Sequence, residues 1–445
     1  MGGRIYGGAV YRVRWWIAGI VARVVTLILF RGVEVAGSTD HDGPRLVVAN
    51  HFGGLVDAIV VIRALGGLPH IVAKSTLFSS LPLRLLLKLL GVVPVYRQAD
   101  TSDTSQNTSS FDEVAKALIK GESVLIFPEG TVTDTQELQK VRTGAARMAL
   151  RAIEIGATNL QIVPLGITYE DKVSSRARVL VEIGVPITEA NIASLPAGDP
   201  IAESNRDLVH QVTETIRSHL AAVAPDYGSL VRERTMMLAA SIHVRSRMTK
   251  AFREPAMSDL RAVAQQLAIA TVPGDDARFA ETGSYQLALS ASGLEDHQIQ
   301  PAPRTRDLAR IVVRKGLIVL VIAPLALLGL VGNLIAILLV IAVGAFVKEP
   351  VSKGTARVIT GLVAFPLSWI VAAAITDPSY WWLAMVLALV GLVFLVIGAA
   401  QVIDLFEALS TWWAVRNHIA LLPDLHEMRA QADRELGSIL TSGDG

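Results

Sequence analysis

The sequence predicts an α/β domain, a mixed sheet covered by helices, set between an N-terminal interfacial helix and a C-terminal α-helical membrane domain. The first observation behind this is compositional. Of the 445 residues 51% are hydrophobic and only 18% charged, with a mean hydropathy of +0.46, whereas ordinary soluble domains carry roughly 25% charged residues. The second is an alternation: short β-branched runs at 45–49, 70–73, 92–96, 123–127, 161–168 and 178–183 are separated by helix-compatible stretches such as 111–120 and 144–155, the pattern of a sheet flanked by helices. The third is that the apolar excess collects late in the chain, where 316–347, 358–376 and 380–403 contain no charged residue.

Residues 1–31 hold Arg4, Arg12, Arg14, Arg23 and Arg31 without an acid, around an apolar run that Arg23 interrupts. A cleaved signal peptide needs an uninterrupted apolar core, so this segment reads as an amphipathic helix lying at the membrane interface, with one tilted transmembrane helix as the alternative. Residues 32–220 form the α/β domain. Within it, 100–110 is a polar surface loop, and the leucine-rich 81–90 suits either a helix dipping into the bilayer surface or a buried one. Residues 221–303 read as a cytosolic helical linker and 304–415 as the membrane domain. In that domain 358–376 and 380–403 are each long enough to cross about 30 Å of hydrocarbon. The stretch 316–347 is too long for one ordinary crossing and contains Pro324 and Gly332-Asn333, which predicts a hairpin of two short helices. Basic segments on both sides of it, Arg304 to Lys315 and Lys348 to Arg357, would then both face the cytoplasm, with 416–445 as a cytoplasmic tail.

Composition also excludes chemistry. Lys+Arg number 41 and Asp+Glu 40, so there is no long-range field to hold a nucleic acid. The chain has no cysteine, which removes disulfides, zinc–thiolate sites and thiol nucleophiles. No G-x-S-x-G elbow and no G-x-x-x-x-G-K-[ST] phosphate loop occurs in it, so neither a serine hydrolase nor an ATP-driven transporter is expected.

His51 follows an apolar strand in Val48-Ala-Asn-His-Phe-Gly-Gly-Leu-Val-Asp57. A His at a strand end with an Asp six positions on can act as an oriented general base; a purely structural pair is the other reading. In Ser123-Val-Leu-Ile-Phe-Pro-Glu-Gly-Thr131 a strand stops abruptly at Pro128 and displays Glu129, to accept from substrate hydroxyls or order cations, or simply to cap a turn. Lys140, Arg142 and Thr143 precede a helix start, where two cations and free backbone N–H groups suit a phosphate or form a solvated face. Arg97 ends Gly91-Val-Val-Pro-Val-Tyr-Arg97 and is a suitable bidentate phosphate partner. Ile162-Val-Pro-Leu-Gly-Ile-Thr-Tyr169 is an apolar strand whose Pro164 and Gly166 could line a cleft.

In this order, NHFGGLVD, GVVPVYR, FPEGT and IVPLGITY resemble the four motif blocks of the glycerol-phosphate and lysophospholipid acyltransferase (PlsC-like) superfamily. The resemblance covers about 48–169, with supporting similarity from the N-terminal helix to about 187. It implies the acyltransferase fold, with His51 as base and Asp57 as its partner. Arg97, Glu129, Gly130 and Thr131 would hold the glycerol-phosphate, with Lys74 near the acceptor phosphate; Lys140 or Arg142 could substitute for a basic contact that many members place at the position of Val132. Pro164, Leu165 and Gly166 would line the acyl site. Two departures stand out. Five residues rather than four separate His51 from Asp57, which resembles the branch with the fungal glycerol-3-phosphate/dihydroxyacetone-phosphate acyltransferases, as do 174–184 and the C-terminal membrane block. Val132 stands where many members carry a basic residue.

The expected reaction is direct acyl transfer from an acyl thioester, acyl-CoA or acyl-carrier protein, to a hydroxyl of glycerol-3-phosphate or 1-acylglycerol-3-phosphate in phospholipid biosynthesis. Dihydroxyacetone phosphate or another lysophospholipid is the alternative acceptor. The expected partners are the lipid bilayer and these substrates, with no metal, no cofactor and no nucleic acid; a homo-oligomer is compatible with the sequence. The catalytic domain is expected on the cytoplasmic face of the membrane. The competing classes are a non-catalytic lipid-binding scaffold and a small transporter, although the apolar helices lack the intramembrane charges a transport path often uses.

Overall fold

The structure, a computed structural model, describes the chain except residues 1–8, 39–42, 80–83, 85–86, 88–90, 96–106, 133–137, 171–176, 225–226, 251–252, 272–275, 301–304, 348–349, 378 and 443–445. Most of the leucine-rich 81–90, most of the polar loop 100–110 and Arg97 lie outside the described residues. The chain divides into two units, Met1–Asp226 with Lys348–Thr355, and Tyr227–Val347 with Ala356–Gly445.

Among the described residues the first unit is built on an eight-stranded sheet: β1 (Gly32–Ala36), β2 (Arg45–Ala49), β3 (His70–Lys74), β4 (Val93–Val95), β5 (Ser123–Ile126), β6 (Gln161–Tyr169), β7 (Arg178–Ile183) and β8 (Ile187–Thr188). The order is β1-β7-β6-β2-β5-β3-β4, with β8 paired to β6. Strands β6, β2, β5, β3 and β4 run parallel, and β7 pairs antiparallel with β6. The central strands are buried on both faces, as continuous apolar runs in a mainly parallel sheet require. One face packs on α3 (Asn107–Ile119), α4 (Gly144–Glu154) and α6 (Arg206–Val223), which follows the short α5 (Glu189–Ala193); Leu46, Val48, Val124, Leu118, Met148, Leu150 and Ile216 meet in that core. Helices α1 (Ala9–Leu29) and α2 (Leu55–Leu65) pack together near β1 and β7.

Helix α1 is amphipathic in an unusual sense. Tyr11, Trp15, Ala22 and Thr26, at helical spacing, are buried. The Tyr11 hydroxyl accepts from Ser123 N at 3.1 Å, and its ring stacks on His70, which is itself held by Glu122 at 2.8 Å. The other face is also apolar: Val13, Trp16, Ile17 and Ile20 are exposed, Trp16 by 64%, beside exposed Arg12 and Arg23.

In the second unit, α7 (Leu230–Ser246), α8 (Met257–Ala270), α9 (Ala280–Ser292), α10 (Asp296–Ile299) and the C-terminal α14 (Leu422–Ser442) share one core containing Met236, Leu267, Tyr285, Leu425 and Leu436. Asp296 is buried at its centre, accepting from Arg429 Nε at 2.8 Å and Tyr285 at 3.1 Å. The expected linker and tail are therefore parts of one helical bundle. Neither is apolar enough to announce a core alone, and they meet across more than a hundred residues.

Among the described residues three helices are long and apolar enough to cross a membrane: α11 (Thr305–Phe346), α12 (Pro350–Ile375), of which 353–375 qualifies, and α13 (Trp381–Asn417). The expected hairpin over 316–347 is absent, because α11 is one continuous helix with Pro324 inside it. Gly332-Asn333 makes no turn. Asn333 is buried and ties three helices together, donating to Gly329 O at 2.9 Å and Ala388 O at 3.0 Å and accepting from Trp369 Nε1 at 2.8 Å. A Cβ on Gly329 would overlap the Gly391 backbone, so α11 and α13 cross in direct backbone contact, the small-residue packing of membrane helices. Helix α11 is about 63 Å long at 1.5 Å per residue. The two basic segments flanking 316–347 stand at its opposite ends, which removes the basis for placing both on one face. Helix α13 also outruns the expected 380–403, since Asp404 is paired with Lys315 at 2.6 Å.

Candidate active site

The parallel strands β2 and β5 end together, with Val48 in register with Ile126, and the loops leaving those carboxyl ends build the site, as open α/β sheets favour. Strand β2 is followed by Asn50 and His51, and the chain then turns through Gly53 and Gly54 into α2. Gly54 has φ +65° and ψ −128° at the helix N-cap, a conformation closed to residues with a Cβ. That turn returns Asp57, in the first turn of α2, to His51. His51 Nδ1 lies 2.9 Å from Asp57 Oδ2; the imidazole side chain is 17% exposed and the carboxylate 0%. The longer spacing leaves the pair intact.

Asp57 is held from three sides. Besides His51, Gly53 N donates to Oδ2 at 2.7 Å and the Tyr169 hydroxyl to Oδ1 at 2.5 Å. Its place at the start of α2 also suits a negative charge. A carboxylate facing Nδ1 selects the tautomer with the proton on Nδ1 and the lone pair on Nε2, so Nε2 is the basic atom. Phe127 stacks on the imidazole with centroids 4.0 Å apart, fixing the plane of the ring.

Glu129 is placed differently from expectation. It is 1% exposed and is not displayed to substrate: Oε1 accepts from His51 N at 3.1 Å and Oε2 from Gln139 N at 3.3 Å. It braces the His51 loop against the chain that follows FPEGT. Arg142 strengthens the brace, its Nε donating to Glu129 O at 3.0 Å. Burial, with a smaller contribution from the charge of Asp57, pushes the Glu129 carboxyl up to about 7, against the opposing pull of its two backbone donors. Because this value lies above the unfolded one, the folded protein holds the extra proton between about pH 4.5 and 7. The associated stability is present at acidic pH and lost as pH rises through 7. Melting in detergent, followed by tryptophan fluorescence, is therefore expected to show the wild type losing about 1–3 kcal/mol more than Glu129→Gln between pH 5 and 8; parallel curves would contradict the buried, proton-sharing carboxylate.

The other expected site residues divide. Lys74, at the carboxyl end of β3, and Thr131, Lys140 and Arg142 are exposed around this end of the sheet. Gly130 sits in the turn after Glu129 with φ +67°. Thr143 precedes α4 but caps it with no side-chain bond. Pro164, Leu165 and Gly166 are buried in β6, and a Cβ on Gly166 would strike Val223 O of α6. Among the described residues no group of His, Asp and Glu is arranged to hold a metal ion. Sequence reading missed Asn50 and Tyr169, whose partners lie more than a hundred residues away.

The candidate site is thus a His–Asp pair at the carboxyl ends of parallel strands. Residues 32–168 match the family model described as Acyltransferase. The chain's relatives include Glycerol-3-phosphate O-acyltransferase 2 of Saccharomyces cerevisiae, 28% identical over 45% of this chain and 26% of that one. Lyso-ornithine lipid O-acyltransferase of Rhizobium meliloti is 32% identical over 35% of this chain and 51% of that protein. A protein of Mycoplasma pneumoniae named as a probable 1-acyl-sn-glycerol-3-phosphate acyltransferase is 30% identical over 33% of this chain and 54% of its own length. The matched region spans between a quarter and just over half the length of these three relatives.

Proposed function

We propose that this protein is a membrane-bound O-acyltransferase that moves a fatty acyl group from an acyl thioester to a hydroxyl of glycerol-3-phosphate or 1-acylglycerol-3-phosphate, with His51 as general base. The observation that carries the reading is the 2.9 Å contact of His51 Nδ1 with fully buried Asp57. Nε2 takes the hydroxyl proton of the acceptor, and the acceptor oxygen attacks the thioester carbonyl. The tetrahedral intermediate then expels the thiolate, which recovers the proton from His51. Asp57 holds the ring and stabilises the transient imidazolium. No acyl-enzyme is needed, in keeping with a chain that has no cysteine.

A phosphate on the acceptor is supported by Lys74, Lys140 and Arg142, exposed around the site, and by the names of the yeast and Mycoplasma relatives. The name of the Rhizobium relative supports a second reading, a lysolipid without that phosphate; dihydroxyacetone phosphate is the remaining alternative. Three apolar helices and the exposed apolar face of α1 suit an enzyme whose long-chain substrate and product reside in the bilayer, and we place the catalytic domain on the cytoplasmic face, where thioester donors are made. The test is an acceptor panel with detergent-solubilised protein and acyl-CoA or acyl-carrier protein. The two named acceptors are expected to give kcat/KM at least tenfold above lyso-ornithine lipid and dihydroxyacetone phosphate, and a reversed ranking would overturn the assignment of the acceptor.

The site's geometry gives a further expectation. A Cβ on Gly53 would lie 2.8 Å from Asp57 Oδ1 and 3.0 Å from the Tyr169 hydroxyl, so Gly53→Ala must displace the carboxylate. Since small misplacements of catalytic groups are costly, kcat should fall roughly ten- to a hundredfold with little change in melting temperature. Unaltered kcat in the folded variant would show that the position of Asp57 is not critical.

A further inference from the structure

We infer that Tyr169 is a positioning residue of the catalytic pair, its hydroxyl fixing Asp57 in the orientation that presents His51 as a base. The inference deepens the reaction proposed above and rests on it. Strand β6 is in register with β2 as far as Leu165, opposite Ala49, and then continues four residues beyond the end of β2. That extension is locked to the His51 loop: Asn50, fully buried, donates to Ile167 O at 3.0 Å and accepts from Ile167 N at 2.7 Å. The side chain of Asn50 thus prolongs the strand pairing where the backbone of β2 has turned away. Two residues on, Tyr169 is carried to Asp57, and its hydroxyl donates to Oδ1 at 2.5 Å while His51 and Gly53 occupy Oδ2.

The two carboxylate oxygens therefore have separate duties. Oδ2 meets the imidazole, and Oδ1 is pinned from strand β6, so the carboxylate cannot rotate away from the ring. In a turn lengthened by one residue and made of two glycines, a second anchor from a rigid strand supplies the order the turn lacks. Burial and the neighbouring charge of Asp57 hold the tyrosine hydroxyl well above its ordinary titration range, so it remains a donor at every working pH. The ring packs beside Phe30 with centroids 5.9 Å apart, and phenylalanine can keep that packing while removing only the donor.

The titratable groups at the pair are His51, Asp57, Tyr169 and Glu129. Taking a donor from the anionic His–Asp pair makes its unprotonated state less favourable, so the pair binds its proton at higher pH. Tyr169→Phe is therefore expected to move the acidic limb of kcat/KM up by about half a pH unit and to lower kcat about tenfold, with acceptor KM within about twofold. The activity-independent readout is carbethoxylation of His51 by diethyl pyrocarbonate, measured by peptide mass against pH. Its midpoint should rise by the same amount in the variant. Site-specific 3-fluorotyrosine at 169 keeps the ring and strengthens the donor, so the midpoint should move down; this arm also serves if the phenylalanine variant does not fold. In an Asp57→Asn background Tyr169→Phe should cost nothing further. Unchanged midpoints in both Tyr169 proteins, or full additivity with Asp57→Asn, would overturn the assignment. A wild type without acyl transfer would instead overturn the proposed reaction and leave the His51 midpoints as the test of Tyr169.

Discussion

His51→Ala is expected to lower acyl transfer by about 10³- to 10⁴-fold, at the upper end of what a positioned general base contributes. The expectation follows from the geometry of the ring. Asp57 faces Nδ1, Phe127 stacks on one face, and the backbone N–H of His51 is held by Glu129, so Nε2 is the atom left to take a proton. The same backbone anchors remain in the alanine variant, which should bind substrates with KM within about threefold and fold normally, as loss of a transition-state interaction requires. Release of CoA thiol is a clean readout, because the protein contributes no thiol of its own. A variant that retains more than about a tenth of wild-type kcat would show that another group removes the proton.

Asp57→Asn is expected to cost about 10²- to 10³-fold in kcat. The carboxylate is fully buried and accepts from Gly53 N, the Tyr169 hydroxyl and His51. An amide offers one oxygen, and its NH2 group must face at least one of those donors. If the amide nitrogen lies at the Oδ2 position it meets His51 and Gly53 N together, and the ring adopts the tautomer with its proton on Nε2 and ceases to be a base there. If it lies at the Oδ1 position instead, the buried Tyr169 hydroxyl loses its acceptor, at about 1–3 kcal/mol. The first outcome lowers kcat and the second lowers stability. Measuring kcat and melting temperature together separates them, and a variant unchanged in both would exclude Asp57 from the account.

The parts of this centre that were legible in the sequence are those written within one motif. His51 and Asp57 lie six positions apart, the glycines between them announce a turn, and the apolar run into Phe127-Pro128-Glu129 announces a strand end. What could not be read is the work done between motifs. Asn50 looked like a polar residue after a strand, yet it bonds both backbone groups of Ile167, and Tyr169 looked like the last residue of an apolar strand. Glu129 was legible as a residue at the site, but its direction was not, because a buried carboxylate accepting two backbone N–H groups and a displayed one have the same local sequence. The membrane block shows the same limit: Gly332-Asn333 carries the composition of a turn, and only the carbonyl of Ala388 and the indole of Trp369 reveal why the helix continues through it. The shared core of 227–299 with 422–442 escaped for the same reason, since each segment completes a surface that the other supplies.

The central claim, that the His51–Asp57 pair transfers an acyl group directly to a glycerol-phosphate hydroxyl, is tested most directly by acceptor-dependent thiol release. Purified protein in micelles would be given acyl-CoA with and without glycerol-3-phosphate or 1-acylglycerol-3-phosphate, beside His51→Ala, with the ester product identified by mass. The account predicts CoA release that requires the acceptor, matches ester formed one for one, and is lost in the variant. Release independent of acceptor, equal release by His51→Ala, or no ester with either acceptor would contradict it.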